Sequence, residues 1–144
     1  MIGYLDTSAF VPLLINEPTS EACRRLWDDA DVIVSSRLLY IETAAALAQA
    51  RRMGHLTKNK HLQCLRHLDL MWSEMDVIEV DEQVVTHGAD LAHRLSLRGY
   101  DAVHCASAQQ LDDDDVVAAS GDQRLLTAWL ELGMATYDTT QSLH

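Results

Sequence analysis

Five short apolar segments, separated by longer helical patterns, constrain the fold more than any other feature of this sequence. They are rich in branched side chains and bounded by charged or turn residues: 2–5 (IGYL), 31–35 (DVIVS), 76–80 (DVIEV), 116–120 (VVAAS) and 134–138 (MATYD). Such segments are typical of strands. Because they are almost continuously apolar, we expect both faces of the sheet to be covered by helices. The sequence therefore predicts an α/β fold, a three-layer α/β/α sandwich with a mainly parallel five-stranded sheet.

The segments between these strands have helical patterns with recognisable ends. The first helix is predicted to open at SAFVPLLIN with Pro12 in its first turn, and the longest, SRLLYIETAAALAQARRMG, to end at Gly54. The others are TSEACRRLWDD, TKNKHLQCLRHLDLMW, EQVVTHGADLAHRLSLRG, DAVHCASAQQL and DQRLLTAWLELG. The sequence contains no repeat, linker or low-complexity tract apart from Asp112–Asp115. We therefore expect a single domain over residues 1–144.

The composition argues against several classes of protein. No apolar run approaches the roughly 18 residues of a membrane span, and the N-terminus lacks a basic segment followed by an apolar one. Cys23, Cys64 and Cys105 lie far apart without a CxxC pair, which argues against a disulfide framework or a zinc site. We expect a cytoplasmic protein that does not associate with membranes.

The charge is unevenly distributed along the chain. The formal net charge of −11 is unusual for a nucleic-acid-binding protein. Residues 43–68, however, contain no acidic side chain and carry a basic strip, namely Arg51, Arg52, Lys58, Lys60 and Arg66. A basic strip on an acidic protein can hold a polyanion, and a solvated helix face is the alternative interpretation.

Three aspartates lie where predicted strands end or helices begin. Asp6 follows the first strand directly, Asp122 comes shortly after the fourth, and Asp101 follows LRGY at the start of a predicted helix. In a parallel sheet these positions share the carboxyl edge, where ligands bind in open α/β folds. Aspartate is also a favoured helix N-cap, and capping is the alternative role for Asp6 and Asp101.

Glu42 is unusual because it lies in the middle of a helix beside apolar residues, with no Lys or Arg three or four positions away. A buried carboxylate is costly unless it is paired or binds a metal. The HxH, HExxH and CxxC patterns are absent, as are phosphate-loop, GxGxxG and GxSxG motifs. Acidic oxygen ligands alone favour Mg²⁺ or Mn²⁺, and therefore metal-dependent phosphodiester hydrolysis.

Four motifs, taken in order, resemble the PIN-domain ribonucleases, and within them the VapC toxins of type II toxin–antitoxin modules. The motifs are YLDTSAF, SSRLLYIETAAALA, LRGYDAVHCASA and VVAASGDQRL, of which Asp-Ala-x-His at 101–104 is the most specific. The resemblance implies a single PIN domain that hydrolyses RNA phosphodiesters with metal-activated water. It also implies a Mg²⁺ cofactor for which Mn²⁺ substitutes, a homodimer, an RNA substrate and a VapB-like antitoxin.

The same resemblance implies roles for individual residues. The catalytic, metal-binding quartet would be Asp6, Glu42, Asp101 and Asp122, with Asp6 and Asp101 as direct ligands and the other two acting partly through water. Thr7 or Ser8 would support the first acid and also cap the first helix, and Ser120 would match a small hydroxyl residue before the last acid. His104 matches a family position, with a packed core residue as the alternative.

Further expectations concern the surfaces around this quartet. Arg51, Arg52, Lys58 and Lys60 would guide RNA toward the acids, and FVPLLI with TSEACRRLW would form a groove for an antitoxin segment. Some relatives carry a further acid near the fourth one, whereas this sequence has Ala118 and Ala119 before Ser120. Whether the site holds one or two metal ions therefore stays open. Two alternative functions remain, a housekeeping PIN-family RNA-processing nuclease without an antitoxin and a non-catalytic PIN-like binding module.

Overall fold

The computed structural model describes residues 1–141 and contains a five-stranded sheet in which every neighbouring pair is parallel. The strands are β1 (Ile2–Leu5), β2 (Val32–Ser36), β3 (Asp76–Ile78), β4 (Val116–Ser120) and β5 (Ala135–Asp138). Their order across the sheet is β3-β2-β1-β4-β5. The predicted fold class is confirmed, and the sheet is wholly rather than mainly parallel.

Helices connect the strands and cover both faces of the sheet. They are α1 (Thr7–Phe10), α2 (Ser20–Asp29), α3 (Leu38–Arg52), α4 (Lys58–Ser73), α5 (Glu82–Leu95), α6 (Gly99–Gln109) and α7 (Gln123–Glu131). None of the helices within residues 1–141 combines the length and the apolarity required to cross a bilayer.

The first helical segment is shorter than the sequence predicts. Helix α1 ends at Phe10, and Pro12 lies in a separate 3₁₀ turn over Val11–Leu13. Proline has no N–H to donate, so it favours the first turn of a new segment over the interior of a continuing helix. The single helix predicted over SAFVPLLIN is therefore wrong. The long helix α3 does end before Gly54, whose φ of +79° suits glycine.

Three strands have ends that differ from the prediction, and β5 begins at Ala135 instead of residue 134. Strand β2 covers Val32–Ser36 instead of 31–35, and β3 ends at Ile78 instead of residue 80. The last register pair of these strands joins Ser36 to Ile78, and beyond it the Arg37 N–H donates to the Ile78 carbonyl. The chain therefore leaves the sheet where the pairing with β2 stops.

The central strand β1 contributes to the core on both sides of the sheet. Tyr4 packs in a cluster with Leu91, Cys105 and Trp129 from the helices on one face. Leu5 packs in a second cluster with residues of α1 to α4 on the other face. Both side chains are fully buried, as expected for successive residues of a central strand, which point to opposite faces of the sheet. The carboxyl end of β1 is thereby fixed from two sides, which positions the residue that follows it.

Candidate acidic active site

Asp6 and Asp122 lie at the same edge of the sheet, as the sequence predicts. Asp6 follows β1 and Asp122 comes two residues after the end of β4, and these two strands are neighbours. The Asp6 N–H donates to the Ala119 carbonyl over 3.2 Å, which continues the pairing past the end of β1. The sheet itself therefore brings the two acids close together.

The Asp6 carboxylate is buried and accepts three hydrogen bonds. Its Oδ1 accepts from Ser8 Oγ (2.8 Å) and from the Ala9 N–H (3.0 Å), and its Oδ2 accepts from Ser120 Oγ (2.6 Å). Burial raises the pKa of Asp6, although the nearby His104 and all three hydrogen bonds act to lower it. An ionised carboxylate in such a position is stabilised by an added cation.

Asp6 also caps helix α1, so its two alternative roles are compatible. Its backbone is extended (φ −81°, ψ 179°), and its side chain reaches the Ala9 N–H in the first turn. The prediction that Thr7 or Ser8 caps this helix is wrong, because both hydroxyls point at carboxylates instead. Ser8 donates to Asp6, and Thr7 donates to Glu42 over 2.9 Å.

Two serines connect α1 to the loop that carries Asp122. Ser8 Oγ accepts from the Gly121 N–H (2.7 Å), and Ser120 Oγ accepts from the Asp122 N–H (2.9 Å) while donating to Asp6. A Cβ on Gly121 would lie 3.0 Å from Thr139 Oγ1, so glycine permits this close approach. The structure thus places the predicted supporting residues Ser8 and Ser120 between the first and the last acid.

Glu42 is paired with a buried histidine from another helix. His104 Nε2 lies 2.8 Å from Glu42 Oε1, and His104 Nδ1 lies 2.8 Å from the Tyr4 hydroxyl. Burial acts to raise the pKa of Glu42, but the contact with His104 and the hydrogen bond from the Thr7 hydroxyl outweigh it and leave the pKa lowered. This pairing keeps Glu42 ionised.

His104 is 2% exposed and packs edge-on against Tyr4, in keeping with a core residue, yet it also contacts the quartet. Sequence reasoning missed that second role. One signal pointed to it, since Glu42 has no Lys or Arg three or four positions away on its own helix and must find a partner elsewhere. His104 follows Asp101 by three positions on α6, so the two residues share a helix face.

Asp101 lies in the first turn of α6, which begins two residues earlier at Gly99. The N-cap position is occupied by Arg98, so the alternative role of Asp101 as an N-cap is wrong. Instead, Asp101 Oδ2 accepts from Arg98 Nε over 3.2 Å. Arg98 Nη2 also lies 3.6 Å from Asp122 Oδ2. Arg98 therefore bridges two members of the quartet, a role that sequence reasoning missed.

The four acids form one chain of contacts but not one ligand shell. Thr7 donates to Glu42 and directly follows Asp6 in the sequence. Ser120 donates to Asp6 and accepts from the Asp122 N–H. Arg98 contacts the carboxylates of both Asp122 and Asp101. Within residues 1–141, no three His, Cys, Asp or Glu side chains are close enough to hold one metal ion. The donors are all hard oxygen ligands, which fit Mg²⁺ or Mn²⁺, but the side chains must approach one another to share an ion.

The predicted RNA-binding residues lie apart from these acids. Arg51 and Arg52 form the last turn of α3, Lys58 and Lys60 lie in the first turn of α4, and all four are exposed. Arg51 is nine residues beyond Glu42 on α3, which corresponds to roughly 14 Å along the helix axis. The structure does not bring this basic strip into contact with the quartet.

The fold agrees with the comparisons to known proteins. The PIN domain family model matches residues 3–128. Ribonuclease VapC49 of Mycobacterium tuberculosis H37Rv is 42% identical over 124 residues, covering 86% of each chain. Ribonuclease VapC46 of the same strain is 37% identical over 135 residues, covering 92% of this chain and 93% of the relative.

Among solved structures, a toxin–antitoxin complex from Klebsiella pneumoniae contains a chain with a TM-score of 0.68 and 11% sequence identity. The alignment covers 97% of this chain and 99% of that one, and it supports the fold alone. The protein belongs to the PIN-domain family, and within that family to the VapC ribonucleases.

Proposed function

We propose that this protein is a Mg²⁺-dependent endoribonuclease and the toxin of a type II toxin–antitoxin pair. The observation that carries the proposal is the continuous chain of contacts linking Asp6, Glu42, Asp101 and Asp122 at the carboxyl edge of the sheet. The relatives named ribonucleases support RNA as the substrate. The chain as given, residues 1–144, is proposed to be a single PIN domain acting in the cytoplasm.

In this proposal the chain's own residues hold and orient the reacting groups. Asp6, whose oxygens are fixed by Ser8 and Ser120, and Asp101 would bind the cation directly, with Glu42 and Asp122 acting partly through water. His104 keeps Glu42 ionised and fixes its carboxylate. When bound, Mg²⁺ or Mn²⁺ supplies Lewis-acid stabilisation of the phosphodiester and activates the water that attacks it.

The proposed partners follow from the surfaces around the site. A VapB-like antitoxin segment would lie along the first helical segments, where Val11, Leu13, Leu14 and Ile15 are only partly buried. The toxin–antitoxin complex among the fold neighbours supports a partner of this kind. A homodimer is also proposed, and Arg51, Arg52, Lys58 and Lys60 would contact RNA that flanks the cleaved phosphate.

A cleavage assay on purified protein tests the enzymatic part. We expect mixed single-stranded RNA to be cut with Mg²⁺ or Mn²⁺ and to stay intact with chelator. Asp101→Ala is expected to abolish cleavage, whereas Asp90→Ala serves as the matched control because Asp90 pairs with Arg94 on the surface of α5. Full activity of Asp101→Ala, or equal activity in chelator, would contradict the proposed active site.

Co-expression tests the toxin assignment separately. The open reading frame next to this gene is expected to encode a small protein that purifies with the nuclease and relieves growth arrest. Metal-dependent cleavage by a protein whose neighbour neither binds it nor relieves toxicity would indicate an RNA-processing nuclease without an antitoxin. Neither cleavage nor metal binding would indicate a PIN-like binding module.

A further inference from the structure

Arg98 holds a distinct position among the basic residues of the chain. Its guanidinium contacts Asp101 Oδ2 through Nε (3.2 Å) and Asp122 Oδ2 through Nη2 (3.6 Å). Across residues 1–141, no other Lys or Arg side chain has a nitrogen within 4.0 Å of a quartet carboxylate. Within residues 1–141, Arg98 is therefore the one Lys or Arg side chain that the fold itself supplies to the acidic site.

The Arg98 backbone is fixed, whereas its side chain is largely exposed. Arg98 is the N-cap residue of α6, and its carbonyl accepts from the Ala102 N–H over 2.8 Å. The side chain is 72% exposed, and its polar partners in the described part of the chain are the two carboxylates alone. Ion pairs whose arginine is this exposed and whose contacts are this long are weak, so a competing cation can replace them.

We propose that Arg98 is the substrate-phosphate contact of this site, held by Asp101 and Asp122 until a divalent cation binds those carboxylates. The inference rests on the proposed function, because it assumes that the quartet binds a divalent cation. That cation would neutralise the carboxylates that hold Arg98 and would repel the guanidinium. The released side chain would remain tethered at the edge of the site.

The chemistry of the substrate supports the second half of this proposal. The cleaved phosphodiester must lie beside the quartet, and it is an anion that matches the planar fork of an arginine. On α3, Arg51 and Arg52 begin roughly 14 Å from Glu42 along the helix axis, so these two arginines serve neighbouring phosphates at most. Arg98 is the basic residue placed to contact the phosphate at the acids.

The first test measures Mn²⁺ binding by isothermal titration calorimetry. We expect Arg98→Ala to bind Mn²⁺ about threefold to tenfold more tightly than the parent, because the competing charge is removed. Arg94→Ala is the matched control, since Arg94 also forms one exposed ion pair, with Asp90 at 2.9 Å, away from the quartet. An unchanged Mn²⁺ affinity in Arg98→Ala would overturn the proposed competition.

The second test measures nucleic-acid binding and RNA cleavage at saturating Mn²⁺. Binding is followed by fluorescence anisotropy with the quartet intact, using a mixed-sequence single-stranded 20-nucleotide DNA that presents the same phosphates but is not the substrate of a ribonuclease. Arg98→Ala is expected to reduce the slope of log affinity against log salt by about 0.7, as for one lost phosphate contact on a single strand. Arg98→Lys is expected to retain the slope because it retains the charge.

In the cleavage of RNA, Arg98→Ala is expected to raise KM roughly tenfold, with a smaller change in kcat. A salt slope and a KM equal to those of Arg94→Ala would overturn the phosphate contact. A parent protein that binds no Mn²⁺ would overturn both this inference and the proposed function. Mn²⁺ binding and cleavage by the parent, with no effect of Arg98→Ala, would overturn this inference alone.

Discussion

Replacing Asp6 with asparagine would remove a charge from the buried end of β1 while keeping the shape of the side chain. The asparagine Oδ1 can still accept from the Ala9 N–H, because Asn and Asp are comparable N-caps. Its amide can donate to Ser120 Oγ, the atom that now donates to Asp6 Oδ2 over 2.6 Å. The substitution therefore changes the charge of the site more than its hydrogen bonds.

The expected change in the free energy of unfolding follows from two opposing effects. Exchanging charge-assisted hydrogen bonds for neutral ones costs about 1 kcal/mol. Removing a carboxylate whose pKa is raised by burial offsets that cost, since each unit of a pKa shift corresponds to about 1.4 kcal/mol. We expect Asp6→Asn to be as stable as the metal-free parent at neutral pH, or more stable by about 1 kcal/mol.

Alanine at the same position should behave differently. Asp6→Ala removes the cap of α1, at about 0.5–2 kcal/mol, and leaves the buried Ser120 hydroxyl without its acceptor, at about 1–3 kcal/mol. It is therefore expected to be less stable than Asp6→Asn by roughly 1.5–5 kcal/mol. The contrast between the two variants separates the effect of charge from the effect of lost hydrogen bonds.

The effect of the Asp6 charge on the free energy of unfolding should depend on pH in a defined direction. The folded protein raises the Asp6 pKa above its ordinary value of 3.8, so the neutral acid is the form favoured by folding. That contribution to stability is present below about pH 4 and is lost as the pH rises through the folded-state pKa. The stability of Asp6→Asn relative to the parent should therefore increase from about pH 4 upward.

Urea denaturation in chelator between pH 4 and 8 measures this difference, and thermal shifts with Mn²⁺ measure the lost metal binding. Mn²⁺ is expected to raise the melting temperature of the parent more than that of Asp6→Asn. Two results together would refute the reasoning. Asp6→Asn would be less stable than the parent by more than about 1 kcal/mol, and this difference in the free energy of unfolding would not change with pH. Asp6 would then act only as a hydrogen-bond acceptor.

Three further predictions test other parts of the molecule. Gly121→Ala should lower stability by about 1–3 kcal/mol in urea denaturation, because its Cβ would lie 3.0 Å from Thr139 Oγ1; an unchanged midpoint would contradict this packing argument. Arg51→Ala combined with Arg52→Ala should weaken RNA binding and flatten its salt dependence without altering the fold, and an unchanged slope would remove these residues from the RNA path. Burial raises the pKa of Cys105 to about 12, so this thiol should resist alkylation at pH 8 until the protein is denatured, and rapid labelling of the native protein would argue against its burial.

The sequence predicted the sheet well because its strands are apolar, short and clearly bounded. Strands β1 and β4 have the predicted limits, since turn or charged residues flank them directly. The ends of β2 and β3 were less predictable, because they depend on where pairing between the two strands stops. The order of the strands could not be predicted from local sequence patterns either. That order makes β1 and β4 neighbours and so brings Asp6 close to Asp122.

Within the candidate site, the limits of prediction follow the distance along the chain between interacting residues. The acid positions could be proposed from strand ends and from the helical spacing around Glu42. The partner of Glu42 could not, because His104 is 62 residues away and meets it only when α3 and α6 pack on the sheet. The contact of Arg98 with Asp101 is local, whereas its contact with Asp122 requires the loop after β4 to lie beside α6.

The charges within the site also distinguish the four acids from one another. Glu42 is paired with His104, and Asp101 and Asp122 share Arg98, so the protein already provides these three with a basic partner. In the described part of the chain, Asp6 forms no ion pair, and its three hydrogen bonds come from neutral donors. It is also the member of the quartet whose pKa is raised by burial. Asp6 is therefore the carboxylate that gains most from an added cation, which makes its substitution the strongest expected perturbation of metal binding at this site.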